Sequence, residues 1–352
     1  MLLSELTTMR VGGPAASILT PTTRDELVAA AREVWSEGDE WLALGGGSNV
    51  VIADAGFEGT VIHVATRGID RVGATLRVEA GESWDAVVAY AVDAGLAGIE
   101  ALSGIPGSCG AAPVQNIGAY GQELADVLVA IEFLDYLSGE QVRIPAAELG
   151  LGYRTSALKQ GRQGIVLAIE MRLEEAEHSE IRYPQLASAL GVTSAGTREI
   201  RRAVLGLRAS KGMVLDPADP DSVSCGSFFT NPIVGENFAR GLPADAPRWP
   251  VEPERPDLAV PLGAEPVVPS YADDHRVKLS AAWLIEHAGV GRGFSLPGSH
   301  VAISSKHTLA ITNRGGGTAE EVAELARYIR ALVGAKFGIE LQPEPVAVGV
   351  QF

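Results

Sequence analysis

The chain has 352 residues, 46% of them hydrophobic, and a formal net charge of −16. The length suffices for two or three domains, and the acidity argues against binding to nucleic acid or to an anionic membrane surface, because both favour basic patches. No apolar run reaches membrane-spanning length, no signal sequence begins the chain, and the two isolated cysteines and six scattered histidines indicate neither a disulfide nor a metal site. We therefore expect a cytoplasmic protein without membrane insertion.

Residues 1–65 have the pattern of a small α/β unit. Thr23 and Glu26 are spaced as a capping box, which predicts that a helix begins after Thr23. The predicted strands are short and apolar, at Ala15–Leu19, Trp41–Leu44, Val50–Ile52 and Thr60–Val64. A glycine-rich loop joins the second and third of them, with the residues Leu44, Gly45, Gly46, Gly47, Ser48, Asn49 and Val50. Because no helix starts at this loop and no Gly-Lys-Ser/Thr follows, it matches neither the Rossmann nor the P-loop phosphate motif.

Residues 66–211 form a second, strand-rich unit. Ser83 occupies an N-cap position and predicts a helix over Trp84–Val92 that stops before Gly95. Strands are predicted at Thr75–Ala80, Val127–Leu134, Gln141–Pro145 and Ile165–Leu173, and a second helix at Glu199–Ala209. A loop at Ser179–Leu186 interrupts this pattern and carries Tyr183 in front of Pro184. Such a tyrosine can also do no more than fill a turn.

A second glycine loop, Gly104–Gly121, contains five glycines, two prolines and no charged side chain, so it fits neither a regular helix nor a long central strand. Glycine lets the main chain approach a ligand closely, and the N–H groups of such loops hold phosphate oxygens. The positions that we expect at a ligand are Gly104, Pro106, Gly107, Ser108, Gly110, Ala111, Ala112, Gln115, Asn116, Ile117, Gly118 and Gly121. Two such loops predict one extended ligand; glycine-rich turns without a ligand are the alternative.

Residues 212–352 have the pattern of a separate third α+β unit. We expect an acidic turn at Pro217–Asp221, a strand at Cys225–Ile233 and an extended surface excursion over Gly235–Asp274. Regular structure should resume at Lys278, with a helix through Ala282, Trp283, Ile285 and Glu286 that ends near Gly289, followed by a hairpin at His300–Asn313. Thr318 and Glu321 repeat the capping box ahead of a long amphipathic helix.

Three residues could carry chemistry, although each has an ordinary structural alternative. Arg154 lies in Gly-Tyr-Arg-Thr-Ser and can pair with a carboxylate, or it can be a solvated surface group. Ser227 has no Gly-x-Ser-x-Gly elbow around it, so a hydrolase triad is not supported, and a backbone-bonded strand serine is the alternative. Glu344 stands between two prolines, which predicts a rigid or edge segment that either delivers it to a site or leaves it in solvent.

Five motifs occur in the order found in the UDP-N-acetylenolpyruvoylglucosamine reductase family, and the chain resembles that family over almost its whole length. The motifs are Leu44–Val50, Gly104–Gly121, Gly152–Ser156, Cys225–Phe229 and Pro343–Pro345. The resemblance implies an α+β fold of three domains. Residues 1–65 and 66–211 would form a PCMH-type (vanillyl-alcohol-oxidase-like) FAD-binding module, and residues 212–352 an α+β substrate-binding domain whose segment 339–352 returns to the active site.

The same resemblance implies a monomeric reductase with non-covalent FAD, NADPH as reductant and UDP-N-acetylglucosamine enolpyruvate as substrate, which makes UDP-N-acetylmuramate for peptidoglycan. Both glycine loops and Ile165 would bind FAD. Tyr120, Tyr153, Tyr183, Lys211 and Asn231 would bind the substrate, with Tyr183 as the lid residue of the tyrosine-loop subtype. Arg154 would hold the enolpyruvyl carboxylate, Ser227 would protonate carbon, and Glu344 would polarise the enolate.

This chain departs from the family's pattern at three positions. Thr230 replaces a lysine that usually precedes the asparagine, and Ala111 and Ala112 replace hydroxyl residues near the FAD pyrophosphate. Two other functions stay open: an FAD-dependent oxidase of an alcohol or sugar on the same fold, and an inactive nucleotide-sugar-binding protein. Such oxidases often tether flavin to histidine, and neither glycine loop contains one. The combination of arginine, serine and glutamate argues against the binding protein.

Overall fold

The computed structural model describes residues 1–251 and 275–352 and has an α+β fold. Seven helices lie in this described part: α1 (Arg24–Glu37), α2 (Trp84–Asp93), α3 (Pro184–Leu190), α4 (Thr197–Ala209), α5 (Glu236–Arg240), α6 (Ala281–His287) and α7 (Ala319–Phe337). None of these seven has the length and apolar character that a membrane span requires.

The first unit contains a parallel sheet with the strand order Ala15–Leu19, Phe57–His63, Trp41–Leu44. The capping box predicted ahead of α1 is confirmed, because Thr23 Oγ1 accepts a hydrogen bond from the Glu26 N–H (3.3 Å) and the Glu26 carboxylate accepts one from the Thr23 N–H (3.2 Å). The first glycine loop leaves the sheet at Leu44, the carboxyl end of its strand.

The second unit is built on an antiparallel sheet within residues 66–211. Its strand order is Gln141–Pro145, Leu128–Asp135, Gly164–Arg172, Thr75–Glu79, Ile69–Val72. One buried cluster combines Leu27 and Ile62 of the first unit with Val87 and Phe133 of the second. The first and second units therefore share one hydrophobic core. The boundary between them that we place at residue 65 stays a prediction.

Helix α2 occupies the predicted position and Ser83 is its N-cap residue as predicted, but the Ser83 side chain accepts no capping hydrogen bond. The N–H of Trp84 donates instead to the carbonyl of Gly107 (3.0 Å), and Ser83 forms an isolated bridge with Ser108. The second glycine loop therefore supplies an acceptor for the first N–H group of α2, which has no partner within the helix.

Short strand pairs complete the second unit: Leu96–Ala97 with Glu174–Glu175, Gly118–Ala119 with Gln122–Glu123, and His178–Glu180 with Ser194–Gly196. The last pair encloses α3, so the predicted interruption at Ser179–Leu186 contains the start of a helix. Tyr183 is the N-cap residue of α3, and Pro184 takes the first helical position, where its missing N–H has no partner to lose.

In the third unit, the predicted strand Cys225–Ile233 is wrong. Only its last residue starts a strand, Ile233–Gly235, and Phe229 makes an isolated bridge to Pro343. Gly226 has φ +71°, which turns the chain out of an extended conformation, and Pro232 has no N–H to donate to a ladder. Phe228 and Phe229 are buried as expected, whereas Ile233 is 40% exposed.

The surface excursion predicted over Gly235–Asp274 is wrong for its first part. Helix α5 follows Gly235, and Arg248–Val251 pairs with Arg276–Leu279, which also pairs with Ile233–Gly235. Residues 252–274 of that prediction lie outside the described residues. The predicted hairpin is confirmed as Val301–Ile303 with Ile311–Asn313, and so is the capping box of α7.

The C-terminal segment crosses from the third unit to the first. Val346–Val348 pairs in parallel with Val50–Ile52. The Asp54 carboxylate accepts hydrogen bonds from the N–H groups of Ala319 (2.8 Å) and Glu320 (3.1 Å), where the helix dipole of α7 favours an anion. These contacts place Glu344 beside the first glycine loop.

Candidate active site

The two glycine loops approach each other so closely that side chains do not fit between them. A Cβ atom on Gly46 would lie 2.8 Å from the Cα of Gly107, and one on Gly45 would lie 2.2 Å from Ser108 Oγ. The loops pack main chain against main chain and line a common cleft.

The cleft has a volume of about 300 Å³, and a second cavity of about 200 Å³ shares part of its lining. Predicted cofactor positions that line the first cavity are Leu44, Gly45, Gly46, Gly47, Ser48, Asn49, Val50, Pro106, Gly107, Ser108, Ala111, Ala112, Gln115, Ile117 and Gly118. Gly110 and Ile165 line the second. Two neighbouring cavities along two glycine loops fit an elongated dinucleotide such as FAD.

Three of the predicted cofactor positions lie outside the lining of both cavities. The Gly104 N–H donates to Asp85 (2.6 Å). Asn116 is 1% exposed and binds its own loop, since its side chain donates to Glu123 and accepts from the Ala125 N–H. Gly121 packs against the Tyr183 segment. These positions shape the loop.

Arg154 is held over the second glycine loop by carbonyl groups. Its Nη2 donates to the Gly118 carbonyl (2.7 Å) and its Nη1 to that of Asn116 (3.3 Å). Its own carbonyl accepts a hydrogen bond from Lys159 Nζ (3.1 Å). Arg154, Asn116 and Tyr120 all have positive φ (55°, 44° and 48°). Left-handed backbone at non-glycine residues is strained and concentrates at functional sites.

The Glu344 carboxylate completes this side of the cleft. Its Oε1 lies 3.3 Å from Arg154 Nε and accepts a hydrogen bond from Gln115 Nε2 (3.2 Å). Burial raises the pKa of Glu344 above its usual range, and the charges of Arg154 and Lys159 oppose that effect. The site therefore holds a carboxylate in a poorly solvated position beside cations.

Ser227 also lines the cleft, together with Cys225 and Gly226. The positive φ of Gly226 directs the chain around this point, and the buried ring of Phe228 anchors the following residue in the core of the third unit. Burial raises the pKa of the Cys225 thiol to about 12, so this neighbour of Ser227 stays protonated at neutral pH. The cleft thus brings together a guanidinium, a carboxylate and a hydroxyl.

Two predicted substrate residues meet where the second and third units join. The Tyr153 hydroxyl accepts a hydrogen bond from the Asn231 N–H (3.4 Å), and Asn231 Oδ1 accepts one from the Ala281 N–H (3.0 Å). Lys278 Nζ lies 5.0 Å from the centre of the Tyr153 ring. Lys278 was not predicted from the sequence; it lies three positions before the first residue of α6, Ala281, whose N–H binds Asn231.

The other predicted substrate residues form a second cluster. The rings of Tyr120 and Tyr183 meet edge to face at 5.5 Å, and Lys211 Nζ lies 5.7 Å from the centre of the Tyr120 ring. Lys211 also donates to Gln185 Oε1 (3.1 Å) in α3. Burial and the nearby Arg208 lower the pKa of Lys211. Tyr183 is 41% exposed at the surface of this cluster.

Arg208 is a cleft residue that the sequence reasoning missed. It is 8% exposed and lines the cleft, where its Nη2 donates to the Met213 carbonyl (2.8 Å) and its Nε has no partner among the described residues. Burial lowers the pKa of Arg208. In α4 it follows Ile200 and Val204 on the buried face. An arginine at such a core-facing position was the available signal.

Two family models match the chain. The model described as "FAD binding domain" covers residues 15–145, and the model described as "UDP-N-acetylenolpyruvoylglucosamine reductase, C-terminal domain" covers residues 217–348. Together these two matches include the first glycine loop, the second glycine loop, Ser227 and Glu344.

Named relatives match along the entire chain. The UDP-N-acetylenolpyruvoylglucosamine reductase of Leifsonia xyli subsp. xyli is 61% identical, with 99% of this chain and 98% of the relative covered. That of Nocardia farcinica is 48% identical, with coverages of 99% and 89%. A crystal structure of UDP-N-acetylenolpyruvylglucosamine reductase from Thermus caldophilus superposes with a TM-score of 0.65 at 28% identity and covers 99% of this chain and 97% of that chain.

Proposed function

The chain belongs to the UDP-N-acetylenolpyruvoylglucosamine reductase family, and on that premise we propose how its cleft carries out the family's reaction. The protein is an FAD-dependent oxidoreductase of peptidoglycan precursor synthesis that reduces UDP-N-acetylglucosamine enolpyruvate to UDP-N-acetylmuramate with NADPH. One observation carries the proposal at the level of residues: Arg154, Ser227 and Glu344 line the same cleft as the two glycine loops.

The glycine loops hold FAD. Gly45 and Gly46 admit the close main-chain packing that a phosphate-binding concavity needs, and Ile165 contributes to the adjoining cavity. Ala111 lines both cavities without a hydroxyl, so main-chain N–H groups supply the contacts to the pyrophosphate there. When bound there, FAD would supply the hydride-transfer chemistry between NADPH and the enolpyruvyl double bond. We assign the buried Arg208 to stabilising negative charge in this cleft.

Arg154 and Glu344 act on the enolpyruvyl group. Arg154 pairs with the substrate carboxylate and is pre-aligned by its bonds to the Asn116 and Gly118 carbonyls. Because those bonds fix the guanidinium, little ordering is required when the transition state forms. Glu344 lies on the other side of the guanidinium and polarises the enolate.

Ser227 donates the proton that completes the reduction at the α-carbon. A hydroxyl is a weak acid, so it serves this role only towards a strongly basic carbon, which the enolate is. The neighbouring Cys225 thiol donates instead to the Val50 carbonyl (3.5 Å), and we therefore assign the proton-donor role to Ser227.

The uridine and the diphosphate of the substrate bind near two groups of residues, the cluster of Tyr120, Tyr183 and Lys211 and the contact between Tyr153 and Asn231. Tyr183 covers the uridine, so we assign the chain to the tyrosine-loop subtype, and Tyr120 supports the Tyr183 ring. Lys211 and Asn231 contact the diphosphate. Lys278 adds a second cation on the side of Tyr153 and compensates for Thr230, which stands where the family has a lysine.

We propose a functional monomer, as the family resemblance implies. We also propose a cytoplasmic location, because the family's nucleotide-linked substrate and NADPH are cytoplasmic metabolites.

The visible spectrum of the purified protein tests the function directly. The flavin absorbance should bleach when NADPH is added without oxygen and should return when UDP-N-acetylglucosamine enolpyruvate is added. Recovery with oxygen but not with the enolpyruvyl substrate would instead favour the oxidase alternative.

A further inference from the structure

The side-chain amide of Gln115 connects the first glycine loop to the Glu344 carboxylate. Gln115 Oε1 accepts a hydrogen bond from Asn49 Nδ2 (2.7 Å), and Gln115 Nε2 donates to Glu344 Oε1 (3.2 Å). Asn49 Nδ2 also donates to the main-chain carbonyl of Glu344 (3.2 Å). The chain of contacts runs from the first unit, through the second, to the C-terminal segment.

The orientations of both amides follow from the chemistry of their partners. The Glu344 carbonyl can only accept, so Asn49 must present its NH₂ group to it. That NH₂ group can only donate, so Gln115 must present its oxygen to Asn49. The NH₂ group of Gln115 is thereby directed at the Glu344 carboxylate.

The surroundings make this neutral donor important. The Glu344 side chain is only 14% exposed, and burial raises its pKa. The charged or titratable groups that face it are Arg154, Lys159, Tyr153 and Cys225. When Arg154 also binds the substrate carboxylate, the hydrogen bond from Gln115 Nε2 to Glu344 Oε1 is retained.

We propose that Gln115 is a positioning residue for Glu344, which fixes the carboxylate in the cleft and favours its ionised form. This proposal rests on the role assigned to Glu344 above. A hydrogen bond to an ionised carboxylate stabilises that form, and removing the bond raises the pKa of the carboxylate. A residue that served only to contact FAD would not change how the reaction depends on pH.

The test is the pH dependence of flavin reoxidation by the enolpyruvyl substrate, measured by stopped flow in Gln115→Leu. We expect an acidic limb shifted upward by roughly one pH unit, with rates expressed per bound FAD because Gln115 also belongs to the loop that holds FAD. Gln122→Leu is the matched control, because Gln122 Nε2 donates to the Glu100 carboxylate (2.8 Å) outside the cleft lining. Its acidic limb should stay at the wild-type position.

A slower reaction with an unshifted limb in Gln115→Leu would overturn the proposal, and so would loss of FAD alone. If Gln115→Leu does not fold, Gln115→Glu keeps the shape and replaces the donor with a carboxylate, which should shift the limb at least as far. Glu344→Gln separates the two hypotheses. If that variant reoxidises at the wild-type rate, the role of Glu344 is wrong; if it is impaired while the Gln115 variants show no shift, only the inference about Gln115 fails.

Discussion

The Nε atom of Arg154 lies 3.3 Å from Oε1 of Glu344, and this ion pair joins the second unit to the C-terminal segment inside the cleft. The side chains are 19% and 14% exposed, so water screens the pair poorly. Removing either partner would leave a poorly solvated charge without its counter-charge, which is more damaging than the loss of an exposed ion pair. The pair is therefore both a structural link between units and the site at which a substrate carboxylate competes for the guanidinium.

The packing of the glycine loops predicts that Gly46→Ala will lose FAD. The added methyl group would lie 2.8 Å from the Gly107 Cα, so one loop must move. We expect the ratio of flavin to protein absorbance after purification to fall well below that of the wild type. In the wild-type protein, acid precipitation should release the non-covalent flavin into the supernatant. Gly206→Ala is the control, since its Cβ meets no other segment within 4 Å. A full flavin complement in Gly46→Ala would show that the loops tolerate the shift.

Tyr183 is predicted to affect substrate binding more than cofactor reduction. Tyr183→Ala removes the ring that meets Tyr120 edge to face, and we expect the KM for the UDP-sugar to rise about tenfold or more. Flavin reduction by NADPH should change much less. Tyr183→Phe keeps the ring and should stay close to wild type unless the hydroxyl itself binds the ligand. An unchanged KM in Tyr183→Ala would return this tyrosine to a purely structural role.

Local signals predicted much of the fold, and contacts distant in sequence account for the rest. The capping boxes at Thr23 and Thr318 act within four residues and were identified correctly. The predicted strand Cys225–Ile233 failed because Gly226 adopts a positive φ that a single sequence does not specify. Ser83 is the N-cap residue of α2 without a capping side-chain bond, and the first N–H of the helix is bound by a carbonyl of the second glycine loop, a contact distant in sequence.

In the candidate site, too, the sequence predicted what local motifs carry but not the contacts between distant segments. Motifs marked Arg154, Ser227 and Glu344, but the amide contacts between Asn49, Gln115 and Glu344 depend on pairing of the C-terminal strand with the first unit. Lys278 lies in no motif that we used, and its position over the Tyr153 ring follows from how the second and third units meet.

Lys278→Ala should raise the KM for the UDP-sugar by about tenfold, as expected for losing one cation at a diphosphate. Thr230→Lys in the same background should restore part of that loss, because it returns a cation to the residue before Asn231. The Thr230 side chain donates only a long hydrogen bond to the Gln342 carbonyl (3.4 Å), so the exchange removes little. Steady-state kinetics of the single and double variants decide the point, and an unchanged KM in Lys278→Ala would refute the compensation.

The lowered pKa of His307 predicts that the free energy of unfolding decreases at acidic pH. Burial, with Lys211 and Arg292 nearby, lowers the pKa of His307 to about 4 from an ordinary value near 6.5. Because the folded pKa is the lower one, the stabilisation is present above pH 6.5 and is lost as the pH falls towards 4. His307→Gln should reduce the loss of unfolding free energy between pH 7 and pH 5 by roughly 1–2 kcal/mol. Urea unfolding measures this difference, and His178→Gln, at an exposed position, is the control. Parallel pH profiles for the wild type and His307→Gln would contradict the assignment.

The last prediction separates the two half-reactions at Ser227, which lines the cleft and is proposed to act after NADPH has left. Ser227→Ala should bind FAD and be reduced by NADPH at a near-normal rate, because neither step uses the proton of this hydroxyl. Reoxidation by the enolpyruvyl substrate should slow by at least ~10²-fold, the lower end of the effect of a positioned general acid.

Arg154→Met should also slow reoxidation, but through lost charge stabilisation and with a higher KM for the substrate. Ser224→Ala is the matched control, since Ser224 is buried three positions earlier and its hydroxyl accepts a hydrogen bond from the Gly226 N–H (3.1 Å). Any effect of that change on the local backbone should appear without the selective loss of reoxidation. Stopped-flow measurement of both half-reactions distinguishes these outcomes. A Ser227→Ala enzyme that is reoxidised at the wild-type rate would remove Ser227 from the mechanism and leave the proton to another group in the cleft.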